Sequence, residues 1–113
     1  MLTKDRNSLY GILDAAGKIT DYIKNVRTPK ELFEKNMILD AVLMNFIVIG
    51  EMIDRISDEF KTNHDNIEWN KIKGFRNMIA HDYFGVDVDE VWQIIKNHLP
   101  DLERKVKIII GDL

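Results

Sequence analysis

Three side chains suited to acid–base and phosphate chemistry stand within eight residues of one another. They are Arg76, His81 and Tyr83, in the run Arg76-Asn77-Met78-Ile79-Ala80-His81-Asp82-Tyr83. Arginine carries a planar, permanently charged fork of donors that matches a phosphate. Histidine gives or takes a proton near neutral pH. A tyrosine hydroxyl donates or accepts a hydrogen bond and can itself be covalently modified. An Arg with a His is a minimal set for cutting RNA without a metal. The imidazole would move a proton to or from the ribose 2′-OH or the leaving oxygen, and the guanidinium would stabilise charge building on the phosphorane. The same three residue types also cap helices and bond their last carbonyls, a purely structural use.

Spacing constrains how these groups meet. Side chains advance about 100° per residue on a helix. Arg76 and Tyr83, seven apart, share a stripe that the small Ala80 leaves open. His81 falls about 140° round from Arg76. On one ideal helix the two do not converge. Either the long Arg side chain reaches across where the helix ends near Asp82, or a second copy of the chain supplies half of the site.

The elements that must position this run are all helical by pattern. Thr3 or Asp5 can cap a first helix to about Asn25, with Leu9, Ile12, Leu13, Ala16, Ile19, Ile23 and Val26 on its apolar side. Thr28-Pro29-Lys30-Glu31 reads as N-cap, first helical residue and capping-box partner. The helix it opens meets no strong breaker before about Lys61, Gly50 being its one weak point. Its middle, Ile38 to Ile49, is apolar nearly all round and needs cover on most sides, which points to self-association. Glu51 follows directly and either faces inward to pair with a cation such as Arg76 or is a plain surface carboxylate. Asp65 or Asn66 can cap a third helix through Trp69, Ile72, Phe75 and Ile79, which ends in the motif. Phe84-Gly85 breaks it. Asp87 caps a fourth, with Glu90 placed to bond back and Val88, Val91, Trp92, Ile95 and Leu99 on its apolar side. Pro100 kinks it or starts a fifth, and Leu102, Val106, Ile109 and Ile110 carry the pattern to Gly111. No run alternates with a period of two for long enough to make a sheet. The pattern predicts one all-α domain over 1–113, an antiparallel bundle of four to five helices.

Composition excludes several classes. The 113 residues suit a single core, and 45% hydrophobic with 31% charged is a globular balance. No cysteine is present, which removes disulfides and thiolate metal sites and fits a reducing, cytoplasmic setting. The charged N-terminus has no apolar signal core. The most apolar run, Met37–Gly50, is interrupted by Asp40 and Asn45 and falls short of the roughly 20 residues of a membrane span. Neither His64 nor His98 has metal-ligand spacing, and His81-Asp82 is a lone HD pair without further ligands. No metal and no cofactor is expected. A net charge of −3 argues against a broad phosphate-binding surface, so any RNA contact must be local, at Lys71, Lys73 and Arg76. Those three do not form one stripe and also read as a solvated face.

The spacing Arg76-x-x-x-x-His81-x-Tyr83 resembles the R-x-x-x-x-H-x-Y signature of HEPN domains of the HepT-like toxins. Ile49-Gly50-Glu51, Trp69-x-x-Ile72-x-Gly74-Phe75-Arg76-Asn77 and Val88-x-x-Val91-Trp92 extend the resemblance over most of the chain. It implies a HEPN bundle that forms a homodimer, with two motifs near one cleft. It implies metal-independent ribonuclease activity, endo- or exonucleolytic, with Arg76 and His81 as the catalytic pair. It implies a toxin–antitoxin system whose cognate MNT-type nucleotidyltransferase antitoxin silences the chain by attaching AMP to Tyr83. Asn77, Asp82 and Glu51 are candidate supporting residues. Two alternatives remain beside it: a non-catalytic helical adaptor built on the apolar long helix, and a nucleotide-binding partner subunit of a nucleotidyltransferase with Arg76 on phosphate.

Overall fold

The structure, a computed structural model, describes residues 1–111, and among the described residues every regular element is helical. Helix α1 (Thr3–Tyr22) buries Leu9, Ile12, Ala16 and Ile19, the spacing that puts one apolar stripe against a neighbour. It ends three residues before the expected Asn25. Its N-cap is Leu2, with no side-chain bond, rather than Thr3 or Asp5. Asp5 has another role. It is 1% exposed, and its carboxylate accepts from the backbone N–H of Ser57 at 2.7 Å and from the Ser57 hydroxyl at 2.8 Å.

The single helix expected over Pro29–Lys61 is three helices: α2 (Pro29–Glu34), α3 (Asn36–Arg55) and α4 (Asp58–Asn63). Thr28 caps α2 by accepting from Glu31 N–H at 3.1 Å. The Glu31 carboxylate bonds back to the N–H of Arg27 at 2.8 Å, one residue earlier than the capping box would have it. The breaks fall at Lys35 (φ −95°, ψ 77°) and Ile56 (φ −76°, ψ 137°), and not at Gly50. At the second break Ser57 caps α4 by accepting from Phe60 N–H, while Asp5 holds its N–H and hydroxyl. The first break sets α2 against α6 (Val88–Gln93), with Leu32 fully buried.

Helix α3 is the centre of the bundle, packed on α1 and on α5 (Trp69–His81). Val42, Phe46, Ile49 and Ile53 are its buried face. With 20 residues and a mean hydropathy of 1.7 over an 18-residue window, it is long and apolar enough to cross a membrane by length and composition, a longer window than the Met37–Gly50 run suggested. Its outer side is bare. Met37 is 87% and Met44 57% exposed, with Ala41 and Val48 half-buried on the same stripe.

Helix α5 (Trp69–His81) buries Trp69, Phe75, Arg76 and Ile79 against α3, and the Phe75 ring meets Phe46 edge-on at 4.9 Å. Neither Asp65 nor Asn66 caps it. The residue before it is Glu68, and the start is fixed instead by the Trp69 indole N–H donating to the His64 carbonyl at 3.0 Å. A 3-10 turn (Tyr83–Gly85) leads to α6 (Val88–Gln93), which Asp87 caps by accepting from Asp89 N–H at 2.9 Å. Glu90 makes no return bond among the described residues. A π-helical turn (Ile94–His98) joins α6 to α7 (Leu99–Gly111) without interrupting the helix. Pro100 has no N–H to give the carbonyl of Lys96, and the wider turn is built just ahead of it. Helix α7 closes the bundle on α1.

Candidate active site

Position follows from α5 running antiparallel to α3. Asp40, Glu51 and Asp54 lie at i, i+11 and i+14 on α3, close to one stripe. Glu51 and Asp54 meet the first residue of the motif and Asp40 meets the last.

Arg76 points into the α3–α5 seam and is 9% exposed. Its Nη1 donates to Glu51 Oε1, its Nη2 to Asp54 Oδ2 at 2.7 Å, and its Nε to Asn77 Oδ1 at 2.9 Å. The stem reaches the seam only because position 50 is glycine. A Cβ there would overlap the Cβ and Cγ of Arg76. Bonding to Asp54, helped by the charges of both carboxylates, raises the already high pKa of the guanidinium. Arg76 in turn holds the Asp54 carboxyl below its ordinary 3.8, and Lys73, 3.0 Å away, adds to that. Glu51 is therefore both things the sequence allowed: paired with Arg76, and 54% exposed along its side chain.

His81 is the last residue of α5. It is exposed, and its imidazole makes no hydrogen bond among the described residues. Within one chain the structure does not bring Arg76 and His81 together, because the Arg fork is committed to α3. Asp82 accepts from Gly85 N–H at 3.1 Å and so shapes the turn. A Cβ on Gly85 would collide with that carboxylate. Tyr83 reaches back to α3, where its hydroxyl donates to Asp40 Oδ1 at 2.6 Å. Burial, then the Asp40 hydrogen bond and charge, push the phenol up to about 12, so it is a neutral donor at any ordinary pH.

Two carboxylates of this site were not singled out from sequence, Asp40 and Asp54. Both are charged residues on the α3 side that faces the motif, a helical-wheel signal open to the eye once α5 is laid antiparallel. The lysines expected as local phosphate contacts are each in an ion pair: Lys71 with Glu68 at 3.3 Å and Lys73 with Asp54. No group of three or more potential metal-ligating side chains gathers among the described residues. An apolar cavity of about 360 Å³ lies on the other side of α5, between Phe46, Phe75, Met78, Ile94 and Leu102, and includes none of the motif's polar groups.

The model of the family "Ribonuclease HepT-like" matches residues 12–109, the bundle and the whole motif. The chain belongs to the HepT-like ribonuclease family. The chain is 30% identical over 93% of its length to the "Probable ribonuclease HepT" of Thermococcus cleftensis, covering 94% of that protein. It is 32% identical over 89% of its length to a "Putative RNase" of Methanocaldococcus jannaschii, covering 92% of it. A "Putative RNase" of Caldanaerobacter subterraneus subsp. tengcongensis is 35% identical over 71% of the chain and 72% of its own length. No solved structure matches this HepT-like chain.

Proposed function

We propose that the chain is the ribonuclease toxin of a cytoplasmic toxin–antitoxin pair, metal-independent and active as a homodimer. Arg76 and His81 are its catalytic pair, and an MNT-type nucleotidyltransferase antitoxin silences it by adding AMP to Tyr83. The observation that carries this is the contrast within α5. An imidazole is exposed and has no partner among the described residues, five residues from a guanidinium held rigid by three acceptors. A group that must shuttle a proton needs such freedom, and a group that must meet developing charge gains from being preorganised. In the reaction the ribose 2′-oxygen attacks the adjacent phosphorus and loses its proton to one imidazole. The bond to the 5′-oxygen breaks, and that oxygen takes a proton from a second acid. A second copy of the chain would supply that acid. The stripe Met37, Ala41, Met44 and Val48 on α3 offers it an apolar face beside the motif. AMP on the Tyr83 oxygen would displace the Asp40 bond and put a phosphate where the RNA phosphate must come.

A non-catalytic adaptor is favoured by one observation: Arg76 is saturated as a structural ion pair would be. The same saturation means that any phosphate meeting Arg76, of a nucleotide or of RNA, must displace one of its carboxylates. Inducible expression of wild type beside His81→Ala in a bacterial host separates the readings, with folding checked by circular dichroism. Arrest by the wild type and growth with a folded variant is the expected result. Growth with both, with Tyr83 unmodified by intact mass, hands the decision to the adaptor.

A further inference from the structure

Phe84 is the most exposed large apolar side chain of the described residues, at 100%. By pattern alone its role is to end α5 together with Gly85. The turn that carries it is fixed at three points. Asp82 caps the turn through Gly85 N–H. Gly85 leaves room for that carboxylate where a Cβ would strike it. Tyr83 is tied to Asp40 on α3. The Phe84 ring lies in a T-shaped arrangement with Tyr83, centroids 5.5 Å apart and planes at 77°, while the residue as a whole stands fully exposed. It stands three residues from His81.

The electrostatics around it create a need that this ring can meet. The net charge is −3. Asp40, Glu51, Asp54, Asp82 and Asp87 border the motif, and the charges of Lys71, Lys73 and Arg76 are already answered by carboxylates. Phosphate contacts supply most of the affinity of an ordinary nucleic-acid-binding protein, and this surface offers few. Stacking a base on an aromatic face needs no positive charge and tolerates any base. We propose that Phe84 is a stacking platform for an unpaired nucleobase, seating single-stranded RNA with its backbone toward His81. The proposal rests on the ribonuclease reading above and adds the substrate class, single-stranded rather than duplex RNA, whose bases are not free to stack on a side chain.

The test uses a His81→Ala background, so that bound RNA stays intact. On it Phe84→Trp places a fluorescent indole at the tip of the turn, and the emission of Trp69 and Trp92 is subtracted using the Phe84 protein. The probes are a mixed-sequence single-stranded oligoribonucleotide and an abasic ribose-phosphate chain of the same length. Quenching by the first and not by the second is expected, and Phe84→Ala or Phe84→Leu should raise Kd on the order of tenfold or more. Equal responses to both probes, no response, or an unchanged Kd in Phe84→Ala would overturn the proposal. So would loss of a dimer in sedimentation of Phe84→Ala, because the ring would then belong to contact between copies. Quenching intact in a chain whose wild type cuts no RNA would sink the ribonuclease reading and leave the platform standing. Cutting intact with Kd unmoved would do the reverse.

Discussion

The two ends of the motif are built in opposite ways. At Arg76 the side chain is buried, its charge is answered by two carboxylates of α3, and the backbone of α3 is thinned to a glycine to let it through. At His81 to Gly85 the side chains other than the half-buried Tyr83 stand in solvent, and Asp82, the Asp40–Tyr83 bond and the packing of Tyr83 on the core hold the turn. The difference teaches where each kind of change will register. A change at the first end is felt by the fold before it is felt by any chemistry. A change at the second end leaves the fold nearly untouched, so on the proposed reading its effect is on chemistry.

Gly50→Ala is the strongest test of that division. The added methyl must displace the Arg76 stem or the α3–α5 spacing, a cost of about 1–3 kcal/mol for overpacking. His81→Ala, by contrast, should stay within about 0.5 kcal/mol of wild type, as exposed substitutions do. Chemical denaturation of the two variants side by side measures the gap, and equal losses would erase the distinction between the ends.

Acid should open the buried end next. The Asp54 carboxyl is held below its ordinary 3.8 in the folded chain, chiefly by Arg76. Its contribution to stability is therefore present above that value and is lost as pH falls through the lowered pKa. Stability measured from pH 6 downward should fall less steeply in Asp54→Asn than in wild type. Identical slopes would mean that Asp54 does not feel Arg76 in solution.

The smallest effect is expected at Tyr83. Asp40→Asn removes the charge and the acceptor but leaves the burial, which is the leading cause of the raised pKa. Ultraviolet titration should show the phenol ionising below about 12 yet still above the ordinary 10. Because the folded pKa is raised, the bond's share of stability is present below pH 10 and disappears as the phenol ionises. An unshifted titration would mean that Asp40 is a bystander.

Much of this was legible in the sequence. The stripes of α1, α5 and α6–α7, the cap at Thr28 and the cap at Asp87 are local patterns, and they appear where the residues put them. The breaks at Lys35 and Ile56 were not legible. No proline or glycine marks them, and apolar spacing runs straight across. The second is held by Asp5, 52 residues away, whose buried carboxylate no window of neighbouring residues reveals. The site divides in the same way. Arg76, His81 and Tyr83 announce themselves by spacing, and Glu51 by its place after Gly50. Asp40, bonded to a residue 43 positions on, becomes visible only when α3 and α5 lie side by side. Asp82, offered as a support for chemistry, builds the turn.

The wide turn over Ile94–His98 has a consequence for how this chain can change in length. The apolar positions Val91, Ile95 and Leu99 are four apart, and then Leu102, Val106 and Ile109 return to three-and-four spacing. Two steps of four overrun the helical repeat of 3.6, and the π-helical turn absorbs the excess. Removing one residue there would swing Leu102, Val106 and Ile109 about 100° away from α1. Lys96, Asn97 and His98 are exposed, and their side chains make only local contacts, Lys96 over the Trp92 ring at 4.7 Å and the Asn97 amide donating to Gln93 Oε1 at 2.7 Å. Their number is not free to vary. Along this stretch natural drift can rewrite the letters but cannot delete one.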